Sequence, residues 1–201
     1  SNGELLWHKK IDNEGQYYSS IENLNEGDGN TILISGVIGD NRPFYTIAKG
    51  WILRTDTSGN IIDNFKVGEN NLFTYLNYIK DIKGSIIVRG ETNNYNTTNL
   101  YGRICLYSFT KNGIVNWKRV YQDSLNVRGV YITYQTKQTF DGGFAMIGFG
   151  DNPKDSITNQ DVWFLKVDSI GCLYDNCLSM GIEKNVIAES DFKVYPNPSN
   201  G

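Results

Sequence analysis

The sequence predicts an all-β protein assembled from repeated four-stranded sheets. Three observations lead to this fold class: short strand-like runs bounded by turn residues, a module of fixed spacing that occurs three times, and a longer period of slightly more than 50 residues. A chain of 201 residues with 39% apolar and 13% aromatic content can bury a core of its own. No helical period extends over a long segment.

The repeated module has a constant internal spacing. A glycine closes an apolar run, an aromatic residue or a cysteine follows 15 residues later, and a turn glycine follows after a further 8. The three copies are Gly36, Trp51, Gly59; Gly90, Cys105, Gly113; and Gly148, Trp163, Gly171. The segments that lead into the modules vary, with 33, 31 and 35 residues from turn glycine to next strand glycine. We therefore expect the packing of the fold to determine the constant spacing within the module.

Each repeat is predicted to contain four strands, because β-branched and aromatic runs alternate with turn residues. First strands are expected at 18–24, 76–82 and 130–136, second strands at 31–36, 85–90 and 143–148, third strands at 51–56, 105–110 and 163–168, and fourth strands at 60–67 and 114–120. Residues 4–11 follow Gly3 as a fourth strand follows Gly59 and Gly113, whereas the fourth strand of the third repeat is expected to degenerate after Gly171.

The turn glycines also set the period of the whole repeat. Gly3, Gly59, Gly113 and Gly171 are 56, 54 and 58 residues apart. Four strands in such a period are typical of a β-propeller blade. A sandwich or a β-solenoid is the alternative, although a sandwich does not require equal spacings in successive thirds of the chain. Since propellers have about 4 to 8 blades, the three repeats are expected to be the C-terminal part of a larger ring.

Two stretches of the third repeat resemble a known group of proteins. Asp141-Gly142-Gly143-Phe144 and the run from Asp161 to Gly171 resemble the repeats of secreted propeller-like proteins of Bacteroidetes. The resemblance extends from residue 3 to about residue 178. It implies blade repeats in an exported protein.

The last residues carry a sharper resemblance. Residues 192–201, which include Val194, Tyr195, Pro196, Asn197 and Pro198, are similar to the opening of the type IX secretion (Por) C-terminal sorting domain. This similarity implies the type IX machinery as a partner, export across the outer membrane, and release or anchoring at the cell surface. That domain continues as a small β-sandwich, of which only the first strand is expected here. A proline-punctuated linker is the alternative reading.

The predicted organisation has six parts. They are an outer strand of a preceding or closing blade (1–11), three blade repeats (12–67, 68–120 and 121–178), a linker (179–190) and the start of the sorting domain (191–201).

The cysteines fit an oxidising compartment. Cys172 and Cys177 flank a short loop that a disulfide could close, and two free thiols are the alternative. Cys105 stands where the other modules have tryptophan, so it is expected to fill the core. One histidine and the absence of CxxC-like spacing give no basis for a metal site, and no cofactor is predicted.

Charge and motifs restrict the function further. A formal net charge of −3 and a pI near 5.2 provide no broad cationic field, which disfavours nucleic acid as a partner. No apolar run approaches the ~18 residues of a membrane span. Nucleophile-elbow, zinc-protease and phosphate-loop motifs are lacking in the sequence. His8, on a predicted strand, is expected at the surface.

The remaining candidates concern binding. Loops at 37–49, 91–101 and 151–156 occupy the same place in each repeat and are the expected surface for a glycan or protein ligand. The tryptophans Trp7, Trp51, Trp117 and Trp163 are expected in the core. Asp56 and Asp168 are interpreted as turn residues and not as calcium ligands.

We therefore expect a secreted or cell-surface repeat module with a binding or structural role and without enzymatic activity. Two alternatives remain open. One is a fragment of a glycan-active enzyme whose catalytic residues lie upstream. The other is a transport cargo that the export machinery recognises through its C-terminal signal.

Overall fold

The fold is all-β, as predicted. The computed structural model describes residues 3–12, 15, 18–39, 48–69, 72–93, 102–123, 131–151, 160–173 and 185–187, and these residues form twelve strands and no helix. The strands are β1 (Tyr18–Gly27), β2 (Thr31–Gly39), β3 (Ala48–Asp56), β4 (Ile61–Val67), β5 (Phe73–Ile82), β6 (Ser85–Asn93), β7 (Gly102–Thr110), β8 (Val115–Asp123), β9 (Tyr131–Gln138), β10 (Phe144–Asp151), β11 (Gln160–Val167) and β12 (Asn185–Ile187).

The strands form three sheets in chain order. The first sheet is β1-β2-β3-β4, the second is β5-β6-β7-β8 with β12 added at its β8 edge, and the third is β9-β10-β11. Consecutive strands within each sheet pair antiparallel, whereas β12 pairs with β8 in parallel. Each repeat of the sequence thus builds one sheet. Within the described residues the third sheet has three strands, one fewer than the first sheet.

Strand register explains the spacing of the module. Its first and second residues lie directly opposite each other across the second and third strands of each sheet, as the pairs Gly36–Trp51, Gly90–Cys105 and Gly148–Trp163. The turn glycines Gly59, Gly113 and Gly171 have φ angles of +77°, +79° and +74°, a region in which residues with a Cβ atom are strained. The module is one hairpin geometry used three times.

The first glycine of the module faces a β-bulge. In every sheet the first strand carries one extra residue at this point, and its main chain comes close to the glycine. A Cβ atom on Gly36, Gly90 or Gly148 would lie 2.0, 2.1 or 1.9 Å from the carbonyl oxygen of Ser20, Tyr75 or Ile132, respectively. Only glycine fits these three positions.

The sheets stack face to face in three layers. The core between the first and second sheets contains Leu33, Ile52, Leu76, Ile79, Ile86, Val88, Tyr107 and Phe109. The core between the second and third contains Ile87, Ile104, Leu106, Tyr121, Phe144, Met146, Leu165 and Val167. Alternate residues of β6 and β7 therefore point into different cores, and the second sheet is buried on both faces. Such a three-layer stack differs from a single two-layered sandwich.

The glycine in each turn between the third and fourth strands is covered by an aromatic side chain from the preceding repeat. A Cβ atom on Gly113 would lie 3.0 Å from the Phe65 ring of β4, and one on Gly171 would lie 3.0 Å from the Trp117 ring of β8. Gly59 has the same relationship to Trp7, also at 3.0 Å. Residues 3–12 thus contact the first sheet in the way that a fourth strand contacts the following sheet.

Residues 3–12 nevertheless form no strand in this structure, so their assignment as the outer strand of a preceding or closing blade stays a prediction. Side chains hold the segment instead: Trp7 Nε1 donates to the Thr57 carbonyl oxygen at 2.9 Å, and Lys9 Nζ donates to Asn60 Oδ1 at 2.6 Å. No described strand lies beside it to supply ladder hydrogen bonds. His8 is exposed, as expected.

The expectation that the module's second residue lies in the core is confirmed for Trp51 and Cys105, which are buried, while Trp163 is partly buried against the second core. Burial raises the pKa of the Cys105 thiol to about 12, consistent with a filler and not a nucleophile. Trp117 is partly buried. Trp7 departs from the expectation, since 44% of it is exposed.

Cys177 and the sorting motif, Val194 to Pro198, lie outside the described residues. The disulfide and the export signal therefore remain predictions. Cys172 itself is buried at the end of the turn after β11. None of the described residues forms a helix long and apolar enough to cross a membrane.

Candidate functional site

The loops expected to bind a ligand leave from one end of the stacked sheets. Lys111 in the β7–β8 turn forms an ion pair with Asp28 in the β1–β2 turn, which places these turns of neighbouring sheets at a common end. The second-to-third strand connections lie at the opposite ends of the same strands, here called the loop end. Each connection spans eight residues (40–47, 94–101 and 152–159), all outside the described residues.

A buried polar cluster lies near the loop end between the second and third sheets. It is called the Arg89 cluster and consists of Tyr75, Asn77, Arg89, Glu91, Thr133 and Thr136. The Arg89 side chain is only 1% exposed; its Nε donates to Thr136 Oγ1 and its Nη1 to the Thr133 carbonyl oxygen, both at 2.9 Å. Asn77 Nδ2 donates to the same carbonyl at 3.4 Å. The guanidinium therefore joins β6 to β9 across the sheet interface.

Glu91 is the acidic member of the cluster. Its Oε1 accepts a hydrogen bond from the Thr133 main-chain N–H at 2.9 Å and lies 3.9 Å from Arg89 Nη1. Burial raises the pKa of Glu91, although the Thr133 N–H and the Arg89 charge oppose the shift. Burial also lowers the pKa of Arg89 to about 10, opposed by the charge of Glu91. Each charge is thus the other's counterion in a largely buried site.

Hydroxyl and carboxylate groups extend the cluster toward the first sheet. Burial, followed by a hydrogen bond to Glu22, raises the pKa of Tyr75. Glu22 also accepts a hydrogen bond from Ser20 Oγ. Tyr18 OH donates in turn to Ser20 Oγ at 3.4 Å. Tyr18, Tyr75 and Thr133, in the first strands of the three sheets, therefore lie on the loop-end side of the bulges, whereas Thr136 lies on the other side.

The Arg89 cluster is specific to the second sheet. Arg89 and Glu91 flank the module glycine Gly90, and the corresponding pairs are Ser35 and Val37 in the first sheet and Ile147 and Phe149 in the third. Arg89 and Glu91 form hydrogen bonds with the main-chain carbonyl and N–H groups of Thr133 beside the β9 bulge. This role of the two charges is structural. Sequence reasoning missed the cluster because it treated residues 85–90 as one apolar run. Two opposite charges around a buried glycine were the available signal.

The acidic turns have the geometry expected of turn residues. Asp56 Oδ1 accepts hydrogen bonds from the main-chain N–H groups of Ser58 and Asn60 at 2.9 and 2.8 Å, and these bonds, with the Asn60 main-chain bond the strongest, hold the pKa of Asp56 below its ordinary value. Asp168 Oδ1 accepts from Ile170 and Cys172 in the same way. The turn interpretation of Asp56 and Asp168 is confirmed. No group of three or more metal-ligating side chains occurs within the described part of the chain.

Comparison with known proteins identifies no relative of this chain: no family model matches the sequence, and no curated protein matches it. Assignment of the site therefore rests on the residues themselves. Exposed aromatic side chains on loops can stack on a sugar ring, and the sequence offers five such candidates, of which Phe73, Tyr75 and Phe149 are partly buried. Tyr95 and Tyr101 belong to the 94–101 connection outside the described residues.

Proposed function

We propose that the chain is a secreted or cell-surface module of the β-propeller type that acts by binding or structural display and is exported by type IX secretion. The observation that supports it most is the stack of three sheets with one repeated register, in which every second-to-third strand connection emerges at the loop end. Radial repetition of such sheets would present these connections on one face. Closure of the sheets into a ring is part of the proposal.

The composition of the connections supports a glycan or protein ligand. Residues 94–101 read Asn-Tyr-Asn-Thr-Thr-Asn-Leu-Tyr, and residues 40–47 include Asn41, Phe44 and Tyr45. Amide and hydroxyl groups donate and accept hydrogen bonds with sugar hydroxyls or a peptide backbone, while tyrosine adds apolar contact area with a polar tip. These residues provide binding chemistry without an evident nucleophile and base.

A glycan array tests the binding role. The intact chain is compared with Tyr95→Ala/Tyr101→Ala and with Phe140→Ala, which removes a fully exposed aromatic side chain from the β9–β10 turn at the other end of the sheets. We expect signals that disappear with the loop variant and persist with the turn variant. Signals that survive the loop substitutions would contradict the loop end as the binding surface.

Export is tested by where the product accumulates. In a host with type IX secretion, deletion from Phe192 onward is expected to trap the protein inside the cell envelope. A deletion of residues 178–184, which keeps Cys177 and β12, serves as the control and is expected to leave export intact. Surface delivery of the protein without residues 192–201 would contradict the proposed signal.

We also infer that Cys172 and Cys177 form a disulfide in the exported protein. Cys172 is buried and close to Arg119, whose Nη2 lies 3.6 Å from its sulfur. Peptide mapping without reduction is expected to recover one peptide pair that contains both cysteines. Recovery of two alkylated thiols from exported material would contradict the bond.

A further inference from the structure

The outer face of the third sheet exposes apolar side chains that have no partner among the described residues. This outer face consists of Tyr134, Ile147, Phe149, Val162 and Phe164. Val162 is 88% exposed and Phe164 is 58% exposed. Ile147 lies opposite Phe164 and Phe149 opposite Val162 in the β10–β11 ladder, so the side chains form one continuous surface. The Tyr134 and Phe149 rings lie 5.5 Å apart.

The first two sheets use the same face to pack against the next sheet. The residue that follows the module's second position is Ile52 in the first sheet, Leu106 in the second and Phe164 in the third. Ile52 and Leu106 are 0% exposed because each packs into the core shared with the following sheet. The outer face therefore continues a packing surface that the chain has already used twice.

The first strand of the first sheet shows the complementary deficit, although Trp51 and Leu53 on the same face are buried. Leu76 and Ile79 of β5 receive the face of the preceding sheet and are 0% exposed. The bulge register makes Ile21 and Leu24 of β1 their counterparts, yet these are 47% and 65% exposed. Among the described residues, no sheet thus follows the third sheet and none precedes the first.

The edge of β11 and residues 3–12 are also complementary to each other. β3 and β7 each pair with a fourth strand, whereas no described strand pairs with the corresponding edge of β11. Residues 3–12 contact the first sheet as a fourth strand would, without belonging to a sheet. Among the described residues, the third sheet therefore lacks a fourth strand, and residues 3–12 lack a sheet.

We propose that two copies of this chain associate head to tail. The outer face of the third sheet of one copy packs on Ile21 and Leu24 of the other, whose residues 3–12 pair with β11 as its fourth strand. Two-fold symmetry forms this contact twice and closes a ring of six sheets, within the range of about 4 to 8 known for propellers. The proposal does not depend on the ligand or the export route.

The repeat also specifies the register of the new strand pair. Arg119 lies opposite Leu106 in the β7–β8 ladder. Lys9 occupies the place of Arg119, six residues after the turn glycine, and Phe164 occupies the place of Leu106. Lys9 of one copy is therefore opposite Phe164 of the other.

Sedimentation velocity of the intact chain over a range of concentrations tests the association. We expect a dimer of twice the 22.7 kDa chain mass. Phe164→Asp and Leu24→Asp should each weaken dimerisation at least about tenfold, because each places a charge in an apolar interface. Ile114→Asp, at a 66% exposed apolar residue of the β7–β8 turn, should leave it unchanged. Circular dichroism verifies that each variant folds. A wild-type chain that stays monomeric at all concentrations would overturn the proposal.

Cysteine cross-linking tests the head-to-tail arrangement. Chains with Lys9→Cys and chains with Phe164→Cys are mixed, oxidised and analysed by peptide mass mapping, with Ile114→Cys in place of Phe164→Cys as the control. We expect a cross-link between positions 9 and 164 of different copies and none to position 114. Cross-links only between two copies of position 164 would show a face-to-face dimer and overturn the arrangement.

Discussion

Gly148 lies so close to Ile132 that a Cβ atom on the glycine would stand 1.9 Å from the Ile132 carbonyl oxygen. The β9 bulge causes this approach, since it brings the first strand's main chain over the second strand. Gly90 meets Tyr75 and Gly36 meets Ser20 in the same way. One steric requirement therefore accounts for the first glycine of all three modules.

Substitution of this glycine should be severely destabilising. Gly148→Ala cannot be accommodated by a side-chain rotation, because the obstructing atom belongs to the main chain, and we expect a loss of about 3 kcal/mol or more in the free energy of unfolding. Gly84→Ala is the control, since Gly84 has a φ of +85° but open space around the Cβ position, and its expected cost is about 1 kcal/mol. Urea unfolding measures both values. Equal losses would contradict the steric account.

Removal of Arg89 should strongly destabilise the protein, and removal of the Glu91 charge in the same chain should restore part of the stability. Arg89→Met leaves Glu91 buried without its counterion, so we expect about 3 kcal/mol of destabilisation at neutral pH. Arg89→Met/Glu91→Gln removes the stranded charge and keeps an acceptor for the Thr133 N–H, and should regain a large part of the loss. A double variant no more stable than Arg89→Met would show that the charge of Glu91 is not the cause.

The raised pKa of Glu91 gives this loss a pH dependence. The folded protein binds the proton of Glu91 at a higher pH than the unfolded chain, whose carboxyl has a pKa near 4.5. The cost of the buried carboxylate is therefore complete above the folded pKa and falls as the pH decreases toward 4.5. In Arg89→Met the folded pKa should rise further. The deficit of this variant should shrink as the pH falls from 7 toward 4.5, and a deficit that stays constant would contradict the assignment.

The carboxylate of Asp141, in an exposed turn, should stabilise the folded protein, whereas the buried carboxylate of Glu91 destabilises it. Hydrogen bonds from Lys166, Thr139 and the Gly143 main chain hold the pKa of Asp141 well below its ordinary value of 3.8. The stabilisation is present above that value and is lost as the pH falls through the folded pKa. Asp141→Asn should lower the urea midpoint at pH 7, with a difference that narrows in acid. Glu4→Gln, remote in sequence from this turn, is the control. A difference independent of pH would contradict this role for Asp141.

Periodicity predicted the sheets because register and turns are local properties. The Gly36–Trp51 spacing reflects a strand pairing, and the positive φ of Gly59 reflects a turn, so both leave a signal in one repeat. The alternation of β6 and β7 between two cores is non-local. Arg89 shows the difference, since only its contacts with the next sheet reveal why a charge occurs in an apolar run.

The segments at the two ends of the repeats were harder to predict for a similar reason. Residues 4–11 have the sequence of a fourth strand, but no strand of the described residues lies beside them, and Trp7 remains half-exposed. The three-residue strand β12 lies in the predicted linker and is too short for a periodic signal. Strand formation at both places depends on a partner that local sequence does not contain.

The most direct test of the repeated stack is a nuclear Overhauser measurement on the folded chain. The rings of Phe65 and Trp117 lie over Gly113 and Gly171, where an added Cβ atom would be 3.0 Å away in each case. We expect cross-peaks from each ring to the α protons of its glycine, which should be shifted upfield by the ring current. Absence of both contacts, with cross-peaks that instead join the three repeats into one two-layered sandwich, would contradict the stacked-sheet account.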